Sequence, residues 1–324
     1  MRDDATTPPP PATFSPGAYD DTGVLAFDSH NSMLVDTVRT SAFHEAILRT
    51  VEAGDVVLDI GTGTGILAMA AARAGAKRVY AIEQGPVIDL ARRVVTANGL
   101  ADRVTFIEAL STEVELPEPA DVLVTETIGN AGFDEGILTW VADAGERLLV
   151  PEPRLIPRRL LLDVALVDIR RDFAEFDRWE DPLLGFDLSA LRTVALNSIQ
   201  AADLTELSMV SDPVRAFQVD LAQRTTSLAA GISLTARRSG TVHALWLWFN
   251  ADLGGGLVVS SRPPSDVPSR QQAILPLARP LQLDQGDVLP VVLEVGHGGA
   301  EWSGQAGTMS PSSTVYGRLR GSSM

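Results

Sequence analysis

Residues 57–68, Val-Leu-Asp-Ile-Gly-Thr-Gly-Thr-Gly-Ile-Leu-Ala, limit what this chain can fold into more than any other stretch. A short β-branched run ends at Asp59, passes through three alternating glycines, and enters an alanine-rich helical pattern lasting to about Arg73. The order is strand, tight loop, helix. Glycine permits backbone angles denied to other residues and lets a ligand approach the main chain closely. The helix that follows aims unpaired N–H groups at whatever lies over the loop.

The same stretch opens an alternation of strands and helices. Val56–Ile60 reads as a strand and Leu67–Ala74 as its helix, followed by a strand over Arg78–Glu83. A helix from about Pro86 to Asn98 is stopped by Gly99. Val104–Glu108 and Ala120–Glu126 read as third and fourth strands. This predicts an α/β fold, a doubly wound Rossmann-like parallel sheet. Ligands of such sheets sit at the carboxyl ends of the strands, near the switch point. Asp59, Glu83 and Glu126 all fall at such ends.

Gly61-x-Gly63-x-Gly65 alone fits a dinucleotide, a nucleotide or S-adenosylmethionine. Glu83 is placed to accept both hydroxyls of a ribose. A dinucleotide fold uses Gly-x-Gly-x-x-Gly, and the third glycine here comes one residue early, which favours the adenosyl cofactor.

Three other regions flank this core. Residues 1–18 are rich in Pro, Thr and Ser and are expected to be a disordered tail. From Asp28 to Thr50 the pattern is helical, with Met33, Leu34, Val38, Ala42, Ile47 and Leu48 as its apolar positions. Asn31-Ser32 and Thr40-Ser41 are its candidate starts, and His30, Asp36, Arg39 and His44 read by default as solvated. Around Pro151-Glu152-Pro153 the character changes. The expected division is a cofactor domain over 19–150 and a β-rich domain, a barrel or sandwich, over 151–324. Short strands are marked there at Leu160–Val167, Thr241–Asn250, Gly256–Ser260, Gln272–Leu277 and Val288–Val295. Phe173, Phe176, Trp179, Leu183, Leu184 and Phe186 form an apolar segment that is either core or an arm for a partner subunit.

A chain of 324 residues, 45% hydrophobic, can bury a substantial core. Its formal charge of −16 argues against a nucleic-acid backbone as partner and is compatible with steering a cationic substrate. With no cysteine, there is neither a disulfide framework nor a thiolate metal site, and no metal centre is expected. No window approaches a membrane span and no signal-peptide pattern is present, so a cytoplasmic protein is expected.

The second constellation is Glu126-Thr-Ile-Gly-Asn-Ala-Gly-Phe-Asp-Glu135. Two carboxylates on a glycine-containing loop after the fourth strand would lean over the cofactor. Close carboxylates repel unless a cation lies between them. A planar guanidinium offers paired N–H groups that suit them. The alternative is a solvated loop carrying these two acids and Asp134.

From about Asp28 to Val295 the chain resembles the protein arginine methyltransferases, in order. The matching stretches are Met33-Leu-Val-Asp36-x-x-Arg39-Thr40, the Val57–Glu83 region, and the spacing of Glu126 and Glu135. Trp179, Gly185-Phe186-Asp187 and Val242-His243-Ala244-Leu245 resemble the family's dimerisation arm, expected at about 172–190, and its β-barrel. The resemblance implies S-adenosyl-L-methionine as cofactor and a homodimer. Arg39 would clamp the cofactor's carboxylate with His30 nearby. Asp59, Gly61 and Gly63 would line the cofactor and Glu83 would hold its ribose. Met33 would crowd the transfer channel, while Glu126 and Glu135 would grip the substrate guanidinium. The chain departs from the family on the substrate side. Pro268-Ser269-Arg270 stands where the family has a Thr-His-Trp loop, and Thr127-Ile128-Gly129-Asn130 replaces an aromatic-Met-Gly-Tyr segment. The aligned positions of two tyrosines before the first helix are Asp20 and Val24.

The expected reaction is methyl transfer to an arginine guanidine nitrogen of a protein or peptide. Free arginine or another small guanidino metabolite is the alternative substrate. A methyltransferase for some other nucleophile, or a cofactor-binding dimeric protein without catalysis, are the rival readings.

Overall fold

The computed structural model describes residues 24–196, 199–202, 204, 208–262, 272–296, 299–305 and 314–318. The proline-rich tail, Asp20 and the 268–270 segment lie outside the described residues.

The chain begins with α1 (Val24–Val35) and α2 (Thr37–Thr50). The helical region expected over 28–50 is divided at Asp36, whose carboxylate accepts the Arg39 N–H at 3.0 Å and caps α2. Neither Asn31-Ser32 nor Thr40-Ser41 starts a helix. The buried stripe of α2 is Arg39, Phe43, Ala46 and Ile47, a 3.6-residue repeat shifted from the expected apolar set. Leu34, Val38 and Leu48 are therefore exposed. Asp36 and Arg39 are buried, contrary to their default assignment as solvated; His44 is exposed as expected.

Strands β1 (Val56–Ile60), β2 (Arg78–Glu83), β3 (Val104–Glu108), β4 (Ala120–Thr125) and β5 (Leu149–Ile156) form an all-parallel sheet in the order β3-β2-β1-β4-β5. Helices α3 (Ile66–Ala74), α4 (Val87–Ala97) and α5 (Ile137–Arg147) connect them. The order reverses between β1 and β4, so the switch point lies between Asp59 and Glu126. This is the doubly wound α/β sheet that the alternation predicts.

The β-rich remainder forms two antiparallel sheets. One contains β6 (Arg159–Val167), β7 (Gln200–Ala202), β8 (Val214–Asp220), β10 (Gly240–Gly254), β11 (Leu257–Ser260) and β12 (Gln272–Leu283). The other contains β9 (Leu228–Thr235), β13 (Val288–Gly296), β14 (Gly299–Gln305) and β15 (Thr314–Arg318). Leu160, Leu162, Val164 and Leu166 alternate inward from β6, and Leu245, Leu247 and Phe249 from β10. They meet Leu289, Val291 and Leu293 of β13 in one apolar interior.

The opposite face of the first sheet carries a second core of Ala165, Val167, Trp246, Trp248 and Ile274. It is covered by Phe173 and Phe176 of α6 (Arg170–Asp177) and Leu196 of α7 (Ser189–Leu196). The apolar 173–186 segment thus divides: its first two phenylalanines are core, while Leu183, Leu184 and Phe186 project from a tight turn.

Candidate active site

The cradle at the end of β1 is built by backbone conformation. Gly61, Gly63 and Gly65 all have positive φ, which β-branched or bulky residues adopt only with strain. A Cβ on Gly61 would lie 2.7 Å from Thr127 Cγ2, and one on Gly63 would lie 3.3 Å from the His30 ring. Three segments distant in sequence thus converge: the glycine loop, α1 and the loop after β4. Glu83 straps the loop in place, accepting the Gly63 N–H at 3.0 Å and the Gly85 N–H at 2.8 Å.

Asp59 is fully buried. Its Oδ2 accepts the Thr62 hydroxyl at 2.6 Å, while its Oδ1 has no hydrogen-bond partner among the described residues. Burial drives its pKa up to about 7; Thr62 opposes the rise and the nearby Glu83 charge adds to it. His30 is shifted the other way: burial holds its pKa below the ordinary value, against the raising effect of Glu83. The orphaned carboxylate oxygen and the Cβ-free loop fit an adenosyl cofactor, whose hydroxyls and amines can satisfy such an acceptor.

On the other side of the switch point stands Glu126, immediately after β4. Its Oε2 accepts from Arg39 Nη2 at 2.5 Å, with both side chains nearly withdrawn from solvent. Arg39 Nη1 also donates to the Met33 carbonyl at 3.1 Å, as does the Thr40 hydroxyl at 3.2 Å. That carbonyl belongs to the last turn of α1, where the helix cannot satisfy it internally. Arg39 Nε has no partner among the described residues.

Several contacts hold the loop from Glu126 to α5. Thr125 Oγ1 donates to the Ile60 carbonyl at 2.9 Å and lies 3.1 Å from Thr127 Oγ1. Asp134 Oδ1 accepts the Ala131 N–H at 2.9 Å. The Glu135 carbonyl accepts Trp140 Nε1–H at 2.8 Å. Ile128, Ala131 and Phe133 are buried, so this is not a solvated loop; Glu135 alone among its acids is exposed.

The structure thus brings His30, Gly63 and Glu83 together, and joins Arg39, Glu126 and the Met33 carbonyl in a second group. Thr62, Thr125 and Asp134 were not singled out by sequence reasoning. Thr125 acts through a contact to the distant Ile60 carbonyl, while Thr62 and Asp134 make contacts three residues away that exist only once their loops are wound. The Asp36-x-x-Arg39 cap, by contrast, has a readable signature.

Residues 39–133 match the family model of ribosomal protein L11 methyltransferase, and residues 162–300 match that of the arginine methyltransferase oligomerization subdomain. An arginine N(omega)-methyltransferase of Streptomyces achromogenes subsp. streptozoticus is 35% identical over 283 residues, 82% of this chain and 75% of that protein. The chain belongs to the arginine methyltransferase family. Another relative of this arginine methyltransferase is protein arginine N-methyltransferase 6 of Xenopus laevis, 32% identical across 79% of this chain and 80% of that one. A solved complex, the Trypanosoma brucei PRMT1 enzyme-prozyme heterotetramer with AdoHcy, superposes with a TM-score of 0.75 at 25% identity, covering 89% of this chain and 95% of that one. The fold is shared with Arabidopsis thaliana protein arginine methyltransferase 10, at a TM-score of 0.68 and 22% identity over 87% of this chain and 94% of that one. The protein is an S-adenosylmethionine-dependent methyltransferase acting on arginine.

Proposed function

We propose that the acceptor is arginine within a protein or peptide, and that Glu126 and Glu135 handle its guanidinium. The observation that carries this reading is that Glu126, buried at the switch point, already accepts a guanidinium N–H, that of Arg39. The site is chemically matched to that group. Bound S-adenosylmethionine supplies an electrophilic methyl group on a sulfonium. Arg39, with His30 beside it, serves the carboxylate end of the cofactor. Asp59, Gly61 and Gly63 line it, Glu83 takes its ribose, and Met33 borders the transfer channel.

A guanidinium is protonated at physiological pH, so its nitrogens are poor nucleophiles. Two carboxylates draw the positive charge toward themselves and leave electron density on the reacting nitrogen. Glu126, fixed at the strand end, orients the group; Glu135, at the loop's far end, is the more catalytic of the two. Holding aligned reactants supplies on the order of 7–11 kcal/mol.

The enzyme acts as a cytoplasmic homodimer whose two antiparallel sheets form the walls of a β-barrel. The arm supports this. Leu184 is 88% exposed and Phe186 69% exposed, and Leu184 holds φ +54 ahead of Gly185. A strained leucine displayed at a turn tip suits a partner surface better than solvent.

A second reading, free arginine as substrate, is favoured by the name of the Streptomyces relative. Incubation with methyl-labelled S-adenosylmethionine and either an arginine-rich peptide or L-arginine separates the two. Label in the peptide's guanidine supports the proposal; label in free arginine alone supports the second reading.

A further inference from the structure

The geometry points to Asp134 as a positioning residue for the glutamate loop, an acid that acts through the backbone. The inference rests on the roles proposed above for Glu126 and Glu135. Asp134 directly precedes Glu135, and its carboxylate turns back into the loop to accept the Ala131 N–H at 2.9 Å. The same carboxylate lies against the Gly129 α-carbon, at the position a side chain would fill; a Cβ there would overlap Asp134 Oδ1 and sit 2.5 Å from its Cγ. Gly129 has φ +71 and Gly132 φ +78, so the chain between the two glutamates reverses through left-handed conformations.

Asp134 is therefore the plug about which this backbone is wound. It is half-buried, whereas Glu135 is exposed. The next contact along the chain, Trp140 Nε1–H to the Glu135 carbonyl, fixes the far side of Glu135. A Cβ on Gly136 would meet the Trp140 ring at 2.9–3.1 Å, so Trp140 too is closely seated. Glu135 is clamped between the Asp134 side chain on one side and Trp140 on the other. Glu126 needs no such clamp, since β4 and Arg39 hold it. The acid that lies farther from the sheet is thus positioned by its own neighbour in sequence.

The role needs an acceptor oxygen of the right shape and does not need a charge. Asparagine presents the same Oδ1 to the Ala131 N–H, while alanine leaves that N–H without its acceptor. Misplacement of a reacting group by about 1 Å costs on the order of 10²-fold in rate. The test is steady-state methylation of an arginine-rich peptide by wild type, D134N, D134A and E135Q. S-adenosylhomocysteine affinity is measured alongside by calorimetry, and exchange of the Ala131 amide by NMR or mass spectrometry. Expected are a 10–100-fold loss of kcat in D134A with cofactor-product affinity within threefold of wild type, faster exchange at Ala131, and rescue of both readouts in D134N. D134A with wild-type kcat overturns the inference. So does D134N as defective as D134A, which would make Asp134 a charged contact for the substrate. If D134A does not fold, D134N decides by the same criterion. A wild type that methylates no guanidine, or an E135Q with full activity, fails the functional reading instead and is read before the Asp134 variants.

Discussion

Removing the Glu126 carboxylate perturbs the protein in a way whose size follows from the structure. The Glu126 and Arg39 side chains are 5% and 10% exposed, and their charged atoms are 2.5 Å apart. In Glu126→Ala the guanidinium stays buried, with the Met33 carbonyl as its remaining partner among the described residues. Stripping one partner from a buried ion pair costs about 3–5 kcal/mol, because the surviving charge has lost both water and counter-charge. Glu126→Gln keeps an acceptor and the volume for the cationic Arg39 donor but removes the counter-charge, at about 1–2 kcal/mol. The pair is isolated by a double-mutant cycle of E126A, R39M and E126A/R39M, read by urea unfolding without cofactor. The expected result is a double variant at least about 2 kcal/mol more stable than the sum of the singles predicts. Additive effects, each below about 1 kcal/mol, would refute the reasoning that the two charges depend on one another.

Asp59 links stability to pH. Its carboxyl ionises near pH 4 in the unfolded chain but near 7 when folded, so between these values the native state binds the extra proton. Stability contributed by the neutral acid is complete below about pH 4 and lost as pH rises through 7. At about 1.4 kcal/mol per pKa unit the span is on the order of 4 kcal/mol. Subtracting the D59N stability profile from that of wild type should leave a decline over pH 4–7; a flat difference contradicts the assignment. Deleting residues 172–190 would also uncover the second core, so the arm is better tested by L184D/F186D, which alters only exposed side chains. Sedimentation should then show monomers that still unfold cooperatively, with a thermal transition no longer dependent on protein concentration, and a surviving dimer would refute the arm as the interface.

Much of the α/β half is legible in the sequence because its strands are short apolar runs closed by glycine or acid, as at Asp59 and Glu83. The break at Asp36 is harder to read. Leu34 and Val38 continue an apolar pattern across it, and only the cap from Asp36 to Arg39 N–H shows where α2 begins. In the β-rich half, Val214–Asp220 interleaves Arg215 and Gln218 with its apolar residues, which hides β8 from a search for alternating strands. The candidate site divides in the same manner. Glu83 and Glu126 are visible because strand ends are visible. Asp134 is not, because its role arises from a contact with Gly129 that exists only once the loop is wound.

Activation of an arginine guanidine by two glutamates is the step on which the mechanism depends. The direct measurement is single-turnover transfer from labelled S-adenosylmethionine to an arginine-rich peptide, with the methylated atom located by mass spectrometry, in wild type and Glu135→Gln. Wild type should place label on a guanidine nitrogen and release S-adenosylhomocysteine in equal amount. E135Q should transfer at least 100-fold more slowly, with cofactor affinity within threefold. Equal rates in the two proteins, or label on any atom other than a guanidine nitrogen, would contradict activation by the two glutamates.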